Sequence, residues 1–387
     1  MVNSAVVNGR STAQPAVDED SAPSASARMP EVAFVRASDE NLQPGNLDTT
    51  TAVLGANTID LGITDVPAYG YLRWLYIFVE AEGGAAGLNN AVASEDSPFN
   101  VLQNIALTEP NGATILQVDT GFDLYLINKF GGYLPAVSAD PMSSPNFSDV
   151  AVSGNFQFML RVPVEVSGRD ALGALPNQDS AGQFKFRCQV APAATVYTTQ
   201  PDTKPTVRVR AWLSAWDQPA ATTAGMGNQV SPPAVGTTAY WSKQSGIAVA
   251  NGNNTIELKR KGNYLRQIIF VLRTAGSRAT AETDWPTETR FLRDAFPARY
   301  YLDEVWKEVM YERTGFNTAG DAAGNLNNGI RFHDYMHEFN GELGRENRDL
   351  WQPTRGSTRL ELQGSFQAAA TLDVLYNDVA IADNVFL

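Results

Sequence analysis

Cysteine, histidine and long apolar runs are scarce in this chain, and each scarcity excludes a class of protein. The single cysteine, Cys188, rules out an internal disulfide and a cysteine-based zinc cluster, and its strand-like context predicts a small buried residue. The longest apolar run, Tyr71 to Val79, contains Arg73 and falls well short of the ~20 residues that cross a bilayer. No basic, apolar leader of the secretory type is visible at the amino terminus.

Positive charge is also limited. The chain carries 29 Lys and Arg against 42 Asp and Glu, for a formal net charge of −13. Its basic residues form no blocks able to neutralise phosphates, so we expect no direct nucleic-acid binding. The 31 glycines and 21 prolines, with a charged fraction of 18%, favour a protein rich in strands and turns over a helical one.

The chain contains an internal repeat. The string NTIDL at 57–61 recurs as NTIEL at 254–258, and each copy is followed by an apolar run, YLRWLYIFV at 71–79 and YLRQIIFVL at 264–272. Two later pairs of matches keep one constant spacing: Ser167-Gly-Arg-Asp with Leu343-Gly-Arg-Glu, and Ala193-Ala-Thr-Val with Ala369-Ala-Thr-Leu. Landmarks in the same order predict two copies of one domain-sized unit.

These patterns divide the chain into four parts. Residues 1–50, rich in Ala, Ser and Pro with few aromatics, predict a mostly irregular amino-terminal arm. We predict that the two copies of the repeated unit occupy residues 51–216 and 239–387. Residues 217–238, rich in Ala, Gly, Thr and Pro, predict the linker between them.

Within the first copy, apolar and polar residues alternate as they do in half-buried strands. The predicted strands are 71–82, 101–108, 155–166, 183–190 and 206–216. Pro110-Asn111-Gly112 predicts a tight hairpin, and the long insertions 83–98 and 131–150 predict binding surfaces. About eight short strands in each copy indicate an all-β fold of two antiparallel jelly-roll sandwiches with a few short helices.

One segment of the second copy has a helical pattern. Its apolar residues recur at helical spacing between Leu302 and Arg313, and Asp303 stands four residues ahead of Lys307. Three acidic residues in the same segment invite comparison with a catalytic carboxylate cluster. We expect them instead to form the solvent face of the helix; they are Glu304, Glu308 and Glu312.

The two histidines, His333 and His337, have a spacing that on a helix would bring both imidazoles to one metal ion. The repeat instead aligns this segment with the predicted strand 155–166. Residues four apart on a strand are separated by ~13 Å, which makes a metal site the less favoured interpretation. No nucleophile elbow, phosphate-binding loop or dinucleotide fingerprint occurs. We therefore expect no enzyme activity, no catalytic or metal-binding residues and no cofactor.

Six strings in the first copy carry a family resemblance. They are Ser97-Pro-Phe-Asn-Val-Leu-Gln-Asn-Ile, Glu109-Pro-Asn-Gly, Thr120-Gly-Phe-Asp-Leu-Tyr-Leu-Ile-Asn, the run from Val162 to Gln178, Phe184-Lys-Phe-Arg, and Trp212-Leu-Ser-Ala-Trp-Asp-Gln-Pro. In this order they resemble the major capsid protein of tectiviruses, membrane-containing icosahedral phages of the double jelly-roll lineage. The resemblance is specific over 97–219, and after 240 it rests mainly on order and length.

The resemblance implies a homotrimer whose six jelly rolls give a nearly hexagonal outline. Such trimers tile the facets of an icosahedral virion, through heterologous contacts within each ring and lateral contacts between rings. Vertex (penton) and minor capsid proteins are the implied partners, with assembly in the host cytoplasm. The insertions 83–98 and 131–150 would form the outward crown. The arm would face an internal lipid membrane or neighbouring subunits, because residues 1–40 hold three Arg and no Lys against six acidic residues.

Two alternatives from other classes stay open. A glycan-binding or glycan-hydrolysing protein built on paired jelly rolls predicts a cleft of converging carboxylates and aromatics. A trimeric phage spike predicts an elongated trimer that forms no lattice. For the capsid interpretation, the negative charge predicts that trimers repel at low ionic strength, so salt or divalent cations should promote lattice formation.

Overall fold

Strands dominate the computed structural model, which describes residues 33–134, 140–219, 236–279, 282–315, 327–336 and 348–381. In the first half the described strands are β1 (Glu40–Val53), β2 (Ile59–Asp65), β3 (Tyr71–Glu82), β4 (Val92–Ala93), β5 (Leu102–Thr108), β6 (Thr114–Thr120), β7 (Phe156–Pro163), β8 (Leu175–Pro176), β9 (Lys185–Val190), β10 (Tyr197–Thr199) and β11 (Thr206–Trp216). In the second half they are β12 (Thr238–Val249), β13 (Gly252–Glu257), β14 (Tyr264–Thr274), β15 (Ser277–Arg278), β16 (Glu288–Arg293), β17 (Phe296–Leu302), β18 (Ile330–Asp334), β19 (Gln352–Pro353), β20 (Leu360–Phe366) and β21 (Ala370–Ala380).

Each half folds as a two-sheet sandwich with the strand order of a jelly roll. In the first roll, β1-β11-β3-β7 forms one sheet and β2-β9-β5-β6 forms the other. In the second roll, β12-β21-β14-β18 and β13-β20-β16-β17 occupy the same places in the same order. The repeated YLR strings open the corresponding strands β3 and β14. The predicted double jelly roll is therefore confirmed.

The local patterns produce these strands for the expected reason. Along β7, Phe156, Phe158 and Leu160 are buried in alternation with half-buried residues, so one face of the strand packs into the sandwich. Cys188 lies buried on β9, as predicted. The β5–β6 hairpin turns where Gly112 adopts a left-handed φ of 88° and its amide donates to the Glu109 carbonyl at 2.9 Å.

Helices are few. They are α1 (Phe34–Ala37), α2 (Gly121–Phe130), α3 (Ala193–Val196) and α4 (Asp303–Thr314), with single 3₁₀ turns at Phe99–Val101, Pro141–Ser143, Glu282–Asp284 and Arg348–Leu350. The predicted helix of the second copy is confirmed as α4, with the expected Asp303–Lys307 pair at 3.2 Å. None of the helices in the described ranges is long and apolar enough to cross a bilayer.

Helix α2 was not predicted, although its signal is present in the sequence. The side-chain oxygen of Thr120 accepts from the Asp123 amide, and the Asp123 carboxylate accepts from the Thr120 amide. This reciprocal capping box is encoded by a threonine followed three residues later by an acidic residue and an apolar run. Helix α2 lies between β6 and β7, and α4 lies between the corresponding strands of the second roll, β17 and β18.

Two sequence predictions need correction. The predicted arm extends to residue 50, but β1 begins at Glu40 and pairs with β11, so residues 40–50 belong to the first sheet. The later pair of repeat matches equates unlike structure, because Ala193–Val196 is helix α3 whereas Ala370 opens strand β21. Leu343-Gly-Arg-Glu lies outside the described residues, as do the arm's residues 1–32.

Candidate assembly surfaces

The two rolls stand side by side, joined along one strand edge. Strand β6 of the first roll runs parallel to β12 of the second, with Leu116 opposite Trp241. This pairing joins one sheet of each roll into a continuous sheet. Buried apolar side chains from both rolls also form one contiguous core cluster. Because apolar burial dominates the stability of such contacts, the relative placement of the rolls is fixed by packing.

Helix α2 packs between the first roll and the outer face of the second roll's β12-β21-β14-β18 sheet. Nine of its ten residues are buried. The ring of Phe130 stacks on Phe332 with centroids 4.8 Å apart, and the Gln267 side-chain amide donates to the Phe130 carbonyl at 2.8 Å. The opposite face of the same sheet packs inside its own sandwich, where Phe270 meets Phe291. The first roll therefore supplies the outer cover of the second.

Polar contacts across this boundary are buried as well. The Lys243 ammonium lies 3.0 Å from the Asp123 carboxylate and 3.2 Å from that of Asp119. Burial acts to lower the pKa of Lys243, and the surrounding carboxylates outweigh it and raise that pKa. Further along, Asp96 accepts from both Arg273, at 2.7 Å, and Arg278, at 2.8 Å. Charge pairing thus adds directional specificity to the apolar contact.

Parts of both long insertions contribute to this boundary. Glu95 accepts from the backbone amide of Arg278, and Tyr133 accepts a hydrogen bond from the Trp241 indole at 2.9 Å. These two residues belong to the insertions 83–98 and 131–150. Their ends therefore face the second roll, and the outward crown stays a prediction for the remaining residues.

The arginine of each repeated YLR string is buried at the start of its strand. In β14, Arg266 donates to the side chain of Asn377 at 3.0 Å and to the Gly131 carbonyl at 3.1 Å. In β3, Arg73 lies between the rings of Trp74 and Trp216, each 4.1 Å from the guanidinium, and donates to Glu165 at 2.5 Å. The sequence repeat had marked these strands but not the role of the arginines.

The outer face of the first roll's β1-β11-β3-β7 sheet has no cover among the described residues. A groove of about 460 Å³ runs over it. We call this surface the Trp212 face; its main residues are Leu42, Tyr76, Phe78, Arg161, Arg210 and Trp212. The side chains of Leu42 and Trp212 are 54% and 45% exposed. Aromatic residues and arginine at this density are typical of protein interfaces.

Helix α4 also has a side that no described residue covers. Trp306 and Met310 are buried against its own roll. Val305 and Tyr311, in contrast, are 50% and 55% exposed. The acidic residues expected on the solvent stripe are exposed, as predicted, so the outward surface of the helix, which we call the α4 face, consists of Glu304, Val305, Glu308, Tyr311 and Glu312.

Among the described residues singled out as possible chemistry, His333 and Cys188 lie on strands of different rolls. His333 is buried on strand β18, where its Nδ1 lies 3.1 Å from the Tyr301 hydroxyl and its ring 4.8 Å from that of Phe291. The alignment of this segment with a strand is thus confirmed, and His337 lies outside the described residues. Burial raises the pKa of the Cys188 thiol to about 12, which leaves the sulfur protonated and unreactive.

A polar groove of about 540 Å³ lies on the outer face of the β13-β20-β16 strands. Amide and hydroxyl side chains such as Asn254, Gln363 and Ser365 line it. Glu288 is the single carboxylate among its described lining residues, and none of them is aromatic. The converging carboxylates and aromatics expected of a glycan-active cleft are therefore not assembled in this groove.

Comparison with known proteins identifies the architecture. No protein-family model matches the chain, and no curated protein matches it by sequence. Among solved structures, the chain is similar to the STIV major capsid protein, with 13% identity, a TM-score of 0.59 and coverage of 89% of this chain and 97% of that one. It is similar to VP54 of PBCV-1, with 8% identity, a TM-score of 0.56 and coverage of 91% and 96%.

The major capsid protein of bacteriophage PM2 gives a third likeness, with 10% identity, a TM-score of 0.50 and coverage of 90% of this chain and 99% of that one. Each comparison spans both rolls, so the likeness extends to their side-by-side placement. At such low identity the likeness concerns the fold. The chain has the double jelly-roll fold that these viral capsid proteins share.

Proposed function

We propose that this chain is the major capsid protein of an icosahedral virus. The observation that carries the proposal is the pairing of two rolls of one topology, edge to edge, within a single chain. Three such chains around a threefold axis present six similar sides and can tile a lattice as hexagons do. The three solved structures described above, all capsid proteins with the same double-roll fold, support this proposal. A major capsid protein is located in the shell of the virion.

The finer parts of the proposal rest on the resemblance in sequence. We propose a tectivirus-like phage whose shell encloses a lipid membrane, with vertex and minor capsid proteins as further partners. We propose residues 217–238 as the link between the rolls, and an amino-terminal arm that contacts lipid or neighbouring subunits. The three Arg and six acidic residues of 1–40 support these contacts over binding of the genome.

Native mass and particle outline test the main proposal. The purified chain should form a species of three times 41.9 kDa, with a flat six-sided outline in negative stain. Crowding and raised ionic strength should convert that species into sheets or shells. A chain that stays monomeric under every condition, or forms an elongated trimer without lattices, contradicts the capsid role.

The arm is tested separately by deleting residues 1–32, which leaves α1 and β1 intact. We expect this variant to form trimers normally. Its binding to lipid vesicles, or its assembly into closed shells, should be impaired. Unchanged shell assembly on lipid would contradict a role for the arm while leaving the capsid role in place.

A further inference from the structure

Within the described part of the chain, the Trp212 face and the α4 face lack a cover, and they are the counterparts of the two surfaces that meet between the rolls. Helix α2 precedes β7 in the first roll, and α4 precedes β18 in the second roll. The sheet covered by α2 is β12-β21-β14-β18, and its counterpart in the first roll is β1-β11-β3-β7, which carries the Trp212 face. The contact of α2 with the second roll's sheet therefore forms within the chain. The equivalent contact, of α4 with the first roll's sheet, does not form within the chain, and both of its surfaces are exposed.

Burial along the equivalent strands shows the difference directly. In β14, every residue from Leu265 to Leu272 is buried, because the strand packs inside its own sandwich at Phe270 and against the first roll at Gln267, which donates to the Phe130 carbonyl. In β3, Tyr76 and Phe78 remain half-buried on the outer side. The same comparison holds for the helices, since α2 is almost wholly buried whereas α4 buries only Asp303, Trp306 and Met310.

The two exposed surfaces are also complementary in chemistry. The α4 face places Val305 and Tyr311 beside three glutamates. The Trp212 face places apolar and aromatic side chains beside Arg161 and Arg210, and the Glu80 carboxylate lies 3.2 Å from Arg210. The Arg210 Nε is buried and has no hydrogen-bond partner in the described part of the chain. An acidic, partly apolar helix supplies acceptors and apolar contact to such a groove.

We propose that the α4 face of one copy of this chain docks on the Trp212 face of the next copy. This inference rests on the proposed capsid function and names the contact that closes its trimer. Each chain then offers one helix and one groove, on different rolls, so the contact is head-to-tail. It repeats between chains the arrangement that α2 makes within a chain, which gives six similar roll-to-roll boundaries around the ring.

The test uses two full-length variants, each damaging one partner surface. Trp212→Ala removes the groove's largest exposed side chain, and Val305→Ala with Tyr311→Ala removes the two apolar side chains of the α4 face. Tryptophan and tyrosine are the residue types that most often dominate interface energies, so each change should weaken trimer formation at least tenfold. Ile63→Ala is the matched control, because Ile63 is 65% exposed on β2, which belongs to a different sheet from the one that carries the Trp212 face. Thermal unfolding confirms that each variant is folded.

Mixing the two variants gives the decisive readout by native mass spectrometry. Each variant alone should be monomeric, whereas an equimolar mixture should give a heterodimer of twice 41.9 kDa that does not close. The dimer arises because the intact helix of one variant finds the intact groove of the other, which also shows that both are folded. Trimers that persist in both variants would overturn the inference and leave the capsid role standing. Monomers in the mixture, with trimers in the control, would also overturn it. A wild-type chain that never trimerises counts against the capsid role itself.

Discussion

Glu165 is the buried side chain with the clearest consequence for pH dependence. Its carboxylate accepts from Arg73 at 2.5 Å and from the Trp216 indole at 2.9 Å. Burial nevertheless raises its pKa to about 7, and the nearby guanidinium only partly offsets that effect. The cluster closes the end of the first sheet where Phe34 of α1 packs on Tyr71. A change in the charge of Glu165 therefore alters the stability of that end of the roll.

We predict that Glu165 makes the first roll less stable as pH rises. Its folded pKa lies above the ordinary value of 4.5, so the folded state holds the proton more tightly than the unfolded state. The stabilising contribution is complete below pH 4.5 and is lost as pH rises to about 7, a difference of up to roughly 3 kcal/mol. Melting temperatures at pH 5 and pH 8 measure it.

Glu165→Gln, which keeps an acceptor oxygen but cannot ionise, should show a smaller fall in melting temperature between those two pH values. Glu82→Gln, at an exposed position, is the control and should behave like the wild type. If Glu165→Gln and the wild type fall equally, the protonation of Glu165 does not govern this pH range.

Lys243 is the second side chain whose role is specific. Lys243→Met removes the cation that faces Asp123, Asp119 and Asp373 and leaves buried carboxylates unpaired. We expect the free energy of unfolding to fall by about 3 kcal/mol. Adding Asp123→Asn should recover part of that loss, because it removes a buried charge that no longer has a partner. Urea unfolding measures both changes.

The control for that pair is Lys261→Met. Lys261 forms an ion pair with Glu257 at 3.2 Å near the surface, where such pairs contribute about 0–1 kcal/mol. A loss for Lys243→Met no larger than that for Lys261→Met would show that the buried pairing does not stabilise the boundary between the rolls.

Among the elements, α2 has the greatest influence on the architecture. It is short, and much of its stability comes from packing between the rolls rather than from intrinsic helix propensity. Its amino terminus depends on the capping box of Thr120 and Asp123. Helix α4 has no side-chain cap at Leu302 and is followed by Gly315, whose φ of 68° is left-handed. The two helices thus occupy equivalent places, but only α2 has a side-chain cap at its amino terminus.

We predict that Thr120→Ala destabilises the chain by about 1 kcal/mol, the usual cost of removing a helix cap. Thr120→Ser keeps the hydroxyl and should retain most of the stability. Because α2 joins the rolls, the loss should appear as one shift of the whole urea transition rather than as a separate early phase. A separate early transition would show that the rolls unfold independently of α2.

At the level of the assembled particle, negative charge opposes association. Each chain carries a formal net charge of −13, so chains and trimers repel at low ionic strength. Added salt screens this repulsion, with a screening length of roughly 10 Å at 0.1 M. We predict that light scattering from purified trimers rises with added salt or divalent cations. Scattering that rises equally in salt-free buffer would contradict the prediction.

The duplication and the principal strands followed from the amino-acid order alone. Strand alternation has a period of two residues and is therefore visible locally, so 71–82 and 206–216 were predicted with the bounds that β3 and β11 have. The helix α4 and the buried position of Cys188 followed from equally local patterns. The start of β1 at Glu40 did not, because its pairing with β11 depends on residues far along the chain.

The covering of one sheet by α2 and the exposure of its counterpart depended on the three-dimensional fold. The contact of Phe130 with Phe332 joins residues from opposite halves, and no local pattern in either half encodes it. Val305 illustrates the same point, since its helical spacing matched a buried apolar face and yet half of it is exposed. Short-range periodicity specifies strands and helices, whereas the choice of which equivalent surface is covered arises only when distant segments pack together.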